Sequence, residues 1–375
     1  MKKILSLILA AAMILALAAC GSQPISTVEE TPEPDEKAIV PVVSAVAETL
    51  EAAETAQPEP EPVEIYFEPE ITLTAESALQ GDAIGVRIEM NSEKGVPEIV
   101  TELGEAFFLP CESESPDGSA YVAYVPVWYA QEPGDYTLTV TAGEYEEDFC
   151  ISVGPAEFGE QHMTISSSTV AATTGDDANA DYAEKVKSQF HTHDDEKYWE
   201  GLFIQPVEAR VSTEFGLFRY TNGSSSARRH TGIDLAAAAG TPVPASNRGR
   251  VVFAGEVIMT GNTVIIEHGG GLKTYYLHMS EIDCEAGQIV EQGDIIGLVG
   301  STGYSTGAHL HFEVRIGEYA INPWRLFDGS STIYQWEDVE MPQTEETESA
   351  ESIESTEDAA GIEITENTEG TANED

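Results

Sequence analysis

Two stretches of the chain alternate apolar and polar residues in short runs bounded by turn residues. In residues 64–154 the runs are IYFEPEITL, AIGVRIEM, AYVAYVPV, DYTLTVTA and EDFCISV, with turns at Gln80-Gly81-Asp82 and Glu132-Pro133-Gly134. Strands of that length and spacing predict a β-sandwich. In residues 205–328 the runs are VVFAGEV, TVIIEHG, LKTYYLHM and DIIGLVG, separated by glycines that suit tight hairpins. They predict an antiparallel β domain. Residues 155–204 read as a connector, with a strand at His162–Ser166, a short helix over Ala183–Phe190 and a polar loop, SSSTVAATTGDDANAD. Residues 21–63 are rich in Pro, Glu, Ala and Thr and keep no sustained apolar period. Residues 329–375 are Glu, Thr and Ser-rich with none either. Both read as disordered acidic segments, a linker and a tail. The expectation is a mainly β protein: a sandwich, then an antiparallel sheet domain.

Charge adds to this picture. Seventeen Lys and Arg face 67 Asp and Glu, a formal net charge of −50. That balance argues against a nucleic-acid partner or an anionic membrane surface. The excess is uneven. From Gln205 to Phe327 there are nine basic and twelve acidic residues, and no Lys or Arg follows Arg325. Residues 1–20 have the form of an export signal: Lys2 and Lys3, then an apolar stretch from Ile4 to Leu17 that is too short to span a bilayer. The LAAC that ends it, Leu17 to Cys20, resembles a bacterial lipobox. This implies a lipid-modified Cys20 that tethers the chain to the membrane at its extracytoplasmic face. Cys111 and Cys150 both fall in the sandwich. Pairing is open, because connectivity cannot be read from sequence. Cys284 reads as a small buried residue.

The candidate chemistry is in the second domain. In STGAHLHFEV, Ser305 to Val314, His309, His311 and Glu313 alternate with Leu310, Phe312 and Val314. His309 and His311 therefore share a strand face, opposite a core-facing set. RRHTGIDLA places His230 and Asp234 four apart, on one face if the segment is a strand. TYYLHMS puts His278 near the end of an alternating run, sharing a face with Tyr276. His230, Asp234 and one of His309 or His311 would make the three-ligand set of a catalytic Zn²⁺ with an open fourth position. The remaining histidines would handle the proton and the oxyanion. His191 and His193, in FHTHDDEKYW beside Asp194 and Asp195, repeat the His-x-His spacing that a second metal site would use, but they lack an alternating apolar frame and read better as a solvated charged segment. His268 reads as a structural or groove-edge residue, not a ligand.

Two resemblances extend these readings. EPGDYTLTV is similar to the late strands of bacterial immunoglobulin-like domains, which implies a spacer or binding module. HTGIDL, GTPVPA, GNTVIIEHGGGLKTYYLHMS, GDIIGLVGSTGYSTGAHLHFEVR and INPWRL, in that order, resemble the LytM/lysostaphin-type zinc metallopeptidases, peptidase family M23. The resemblance covers about residues 205–327. It implies His230, Asp234 and His311 as zinc ligands. His278 and His309 would act on water and the transition state, with the principal base unassigned between them. It also implies peptidoglycan as the substrate, cut in its stem peptide or cross-bridge. Met279 and Ala308 depart from the commoner Leu and Pro, but neither removes a ligand. The expectation is a lipid-anchored peptidoglycan endopeptidase. The alternative is a non-catalytic LytM-like module that binds peptidoglycan or activates a hydrolase. A regulatory protein partner stays open.

Overall fold

The computed structural model describes residues 68–116 and 118–337. The expected export signal, the expected lipid-modified Cys20, the expected acidic linker and the expected tail beyond residue 337 lie outside the described residues.

The alternating runs of the first region become two four-stranded sheets. One has the order Glu70–Leu73, Ala83–Asn91, Gly118–Pro126, Leu109–Cys111. The other runs Ser77–Leu79, Tyr145–Gly154, Gly134–Ala142, Glu98–Thr101. Val86, Ile88 and Met90 of the first sheet share a core with Leu138, Val140, Ile151 and Val153 of the second. The strand Gly118–Pro126 is apolar on both faces. Ala123 and Val125 enter this core. Val122 and Tyr124 point the other way and join Trp199, Phe203 and Tyr334 in the main core. The first region is therefore one layer of a continuous packing, not a detached spacer. Cys111 and Cys150 stand in different sheets, and neither forms a disulfide. Cys284 is half-buried, and burial pushes its thiol up to about 11.

The glycine-rich region forms the predicted antiparallel sheet. Its order is Arg210–Thr213, Ile233–Ala236, Leu310–Ile316, Leu272–Met279, Gly261–Gly269, Gly249–Val257, Ile289–Val290. Ile233, Leu310, Phe312, Tyr276 and Val264 fill the main core on one face. Tyr275, Leu277 and Ile265 lie on the other, under Val186 and Phe190.

That covering corrects the reading of the connector. SSSTVAATTGDDANAD is not a loop: it holds helices Ser167–Thr173 and Asp176–Lys185. Ser166 caps the first by accepting a hydrogen bond from the Thr169 backbone N–H. Asp176 and Asp177 in the first turn and Lys185 in the last suit the dipole of the second. Apolar side chains downstream, Tyr182, Val186 and Phe190, then hold it on the sheet. The strand expected at His162–Ser166 forms slightly earlier, as Glu160–Met163, and pairs in parallel with Phe218–Thr221. The tail also starts later than residue 329. Ile333 and Tyr334 are buried in the main core. Lys197 Nζ lies 2.6 Å from Glu337. Three apolar side chains, Ile333, Tyr334 and Trp336, hold this segment to the fold despite its acidic surroundings.

Candidate metal centre

The register of the central sheet puts Asp234 opposite His311, and His311 opposite Leu277, in one row. The neighbouring row, Ile233, Phe312 and Tyr276, faces the core. Apolar alternation therefore fixes which way Asp234 and His311 point. His230 reaches them differently from the expectation. It lies in a loop ahead of Ile233–Ala236, not on a shared strand face. The loop crosses close over its neighbour at Gly232, where a Cβ would sit 2.1 Å from the Phe312 carbonyl oxygen. Only glycine permits that approach.

His278 is also corrected. Strict alternation would send it into the core beside Tyr276. Instead Asn262 pairs with Met279 and Val264 with Tyr276, so Thr263 opposes two residues, Leu277 and His278. This is a β-bulge, and His278 sits in it with φ +64. A left-handed backbone at a residue other than glycine is uncommon and costs energy. Here it turns the imidazole to the opposite face from Tyr276, where its ring centroid is 4.9 Å from that of His309 and 6.0 Å from that of His311.

Three buried donor atoms converge. His230 Nε2 is 3.0 Å from Asp234 Oδ1 and 3.0 Å from His311 Nδ1, and His311 Nδ1 is 2.8 Å from Asp234 Oδ1. The surroundings fix the tautomers. His230 Nδ1–H donates to the Glu214 carbonyl at 2.9 Å. His311 Nε2–H donates to Glu313 Oε1 at 2.8 Å. Each ring thus has one nitrogen engaged outward, and the other turns its lone pair to the centre. Two imidazole lone pairs and a carboxylate oxygen crowded together out of water repel one another unless a cation sits among them. The donor set, two nitrogens and one oxygen, fits Zn²⁺. Among the described residues this is the group of His, Cys, Asp or Glu side chains arranged to hold a metal ion.

The metal-free electrostatics show the same demand for positive charge. Burial opposes ionisation of Asp234, yet His230 and His311 hold its carboxyl well below the usual range. Burial would lower His311, but Asp234 and Glu313 outweigh it and push it up to about 9. Burial lowers His230, with Asp234 opposing.

A further ring of contacts braces the donors. Glu313 Oε2 accepts from Arg315 Nε at 2.6 Å, and the Thr231 hydroxyl donates to Glu313 Oε1. Arg219 Nη2 donates to Asp234 Oδ2 at 2.8 Å, and its Nε donates to Gln161 Oε1 at 2.9 Å. Glu313 is legible in the sequence, two residues after His311 on the same face. Arg219 and Gln161 are not, since nothing local marks an arginine that is held by a strand 58 residues away.

His278 and His309 complete the site. His278 Nδ1–H donates to the Thr302 carbonyl at 2.8 Å, and His309 Nδ1–H to the Gly307 carbonyl at 2.8 Å. His309 Nε2 lies 3.7 Å from Asp234 Oδ1. Burial, then the neighbouring His309 and His311, push His278 down to about 3. The other histidines stand apart. His191 pairs with Glu105 at 2.6 Å, and His193 stacks on Phe107. His268 is fully buried between the Arg248 carbonyl and Thr274 Oγ1, each at 2.8 Å, as a structural residue.

Parts of the chain are similar to known proteins. Residues 228–323 match the family described as Peptidase family M23. A DD-carboxypeptidase/endopeptidase Mpg of Neisseria meningitidis serogroup B is 46% identical over 124 residues, 33% of this chain and 28% of that protein. The peptidoglycan DD-endopeptidase ShyA of Vibrio cholerae is 40% identical over 119 residues, 31% of this chain and 28% of that protein. The solved catalytic domain of lysostaphin from Staphylococcus simulans is 32% identical. That match covers 32% of this chain and 92% of that one, with a TM-score of 0.30. The chain thus spans little more than a quarter of the length of these two curated relatives.

Proposed function

We propose that this chain, whose residues 228–323 carry the fold and active-site motif of peptidase family M23, is a zinc-dependent endopeptidase that cuts peptide bonds of peptidoglycan. The observation that carries the reading is the convergence of His230, Asp234 and His311 on one buried point with their lone pairs inward. Relatives named as peptidoglycan DD-endopeptidases support the substrate.

His230, Asp234 and His311 would hold the ion, through His230 Nε2, Asp234 Oδ1 and His311 Nδ1. Zinc, when bound, supplies a Lewis acid and lowers the pKa of a water from ~15.7 to ~7. The protein moves the protons. The Nε2 atoms of His278 and His309, each with its Nδ1–H anchored on a backbone carbonyl, face the reacting group. One accepts a proton from the attacking water and passes it to the leaving amine. The other, when protonated, donates to the tetrahedral oxyanion. Arg219 keeps the second Asp234 oxygen occupied, so that carboxylate offers one oxygen to the centre.

We also infer that LAAC makes Cys20 a lipid anchor at the extracytoplasmic face of the membrane and that residues 21–63 give the domains reach. Among the described residues no helix is long and apolar enough to cross a membrane. Two facing four-stranded sheets support an immunoglobulin-like assignment for residues 64–154. The rival reading, a non-catalytic peptidoglycan-binding module, is disfavoured because both the three donors and the two proton-handling histidines are intact.

A zymogram on embedded cell-wall material tests the proposal. Clearing that vanishes with a chelator and returns with zinc is expected. Absence of clearing by the zinc-loaded protein would favour the binding module.

A further inference from the structure

Two cavities flank the metal centre, and their charge runs against that of the chain. The first, about 260 Å³, is lined by Arg210, Arg219, Asp234, His278 and His309. The second, about 190 Å³, is lined by Arg219, Arg228, Arg229, His230, His311 and Glu313. Four of the 17 basic residues of a chain with 67 acidic ones thus border one groove. The two carboxylates on its walls are already engaged. Asp234 is held by the donor set and Arg219, and Glu313 by His311 and Arg315.

The arginines are not all engaged. Arg229 donates to the Gly216 and Tyr129 carbonyls and lies over the rings of Phe158 and Phe218, which makes it structural. Arg210 and Arg228 are exposed, and among the described residues neither has an acidic partner. Arg219 borders both cavities. Its Nε and Nη2 are committed to Gln161 and Asp234, while Nη1 has no hydrogen-bond partner among the described residues. Unpaired guanidinium donors in a groove are suited to carboxylates. Elsewhere the acidic excess of the chain would repel an anionic substrate, so attraction has to be local.

We propose that the groove reads a free carboxylate on the substrate beside the scissile bond. Arg219 Nη1 is the inner receptor, and Arg210 and Arg228 are the outer charges on either side. The substrate is then the carboxylate-bearing stem peptide, not a neutral amino-acid cross-bridge. This rests on the peptidase reading above and makes it specific.

The test uses the zinc-loaded full chain and a synthetic cross-linked stem-peptide dimer in three forms. One has all carboxylates free, one has its C-terminal carboxylate amidated, and one has the side-chain carboxylate next to the scissile bond amidated. One of the two amides is expected to lower kcat/KM about tenfold, mainly through KM, as loss of one charge-assisted contact worth about 1.4 kcal/mol would do. Which amide does so tells the two carboxylates apart. Arg210→Gln or Arg228→Gln should narrow the ratio between the free and amidated forms. Equal cleavage of all three forms, with intact peptidoglycan still cut, would overturn the carboxylate reading and leave the peptidase standing. If no form is cut, calorimetric binding of the same peptides decides. Tighter binding of the free form supports the proposal, and equal or absent binding overturns it.

Discussion

At the scale of residues, the site is a set of imidazole tautomers fixed by backbone carbonyls and one carboxylate. Glu313 acts through His311: it accepts a hydrogen bond from Nε2–H, which keeps the proton on Nε2 and leaves the Nδ1 lone pair free. Glu313→Gln should therefore lower zinc affinity about 10- to 100-fold, measured by competition with a chromogenic chelator. His278→Ala and His309→Ala should each keep the metal and lose about 10²- to 10⁴-fold in kcat. The three converging donors were legible because His-x-x-x-Asp and His-x-His occur in one β-patterned region. The face of His278 was not, because a parity argument cannot see a bulge. His268 gives a pH prediction away from the metal. Burial holds its pKa near about 4 in the folded protein, against about 6.5 unfolded. Between those values the unfolded chain binds more protons, so stability falls as pH drops from about 6.5 toward 4, by up to about 1.4 kcal/mol per unit. Urea titrations at pH 7, 6 and 5 should show the midpoint falling, with a flatter dependence in His268→Gln.

At the scale of elements, two tight turns hold the bulge in place. Gly261, at φ +67, lies against Thr302, where a Cβ would meet Thr302 Oγ1 at 2.1 Å. A Cβ on Gly303 would meet the Gly261 nitrogen at 2.4 Å. Thr302 in turn provides the carbonyl that orients His278. Gly261→Ala should thus cost at least about 1–2 kcal/mol from the left-handed backbone alone. It should also lower kcat with little change in zinc content, as metal analysis beside kinetics would show. Strands such as Gly134–Ala142 and Tyr145–Gly154 were readable from alternation because only one face of each is buried. The helices over residues 167–185 were not, since Ser, Thr, Asp and Ala give no apolar stripe there. The residues that fasten them, Val186 and Phe190, come afterwards.

At the scale of the whole molecule, the first region and the glycine-rich region share a core. Tyr124 packs with Trp199 at a ring separation of 6.2 Å. Asp82 pairs with Arg325 at 2.8 Å, and Asn322 N–H donates to the Gly81 carbonyl at 2.8 Å. The sequence pattern separates two β regions but carries no sign of this contact, because a strand apolar on both faces looks the same whichever neighbour covers it. Tyr124→Ala should cost about 3–5 kcal/mol, as truncating a buried aromatic does. It should lower the melting temperature of the glycine-rich region as well as its own. In calorimetry of the full chain, the two regions are expected to unfold in a single transition.

The most direct test of the central claim is product analysis by mass spectrometry. Purified peptidoglycan is digested with the native, the zinc-stripped and the zinc-restored full chain. Newly freed stem-peptide termini in the first and third digests, and none in the second, are predicted. The same products from the stripped protein, or none from the zinc-loaded one, would contradict a metal held by His230, Asp234 and His311 as the source of the activity.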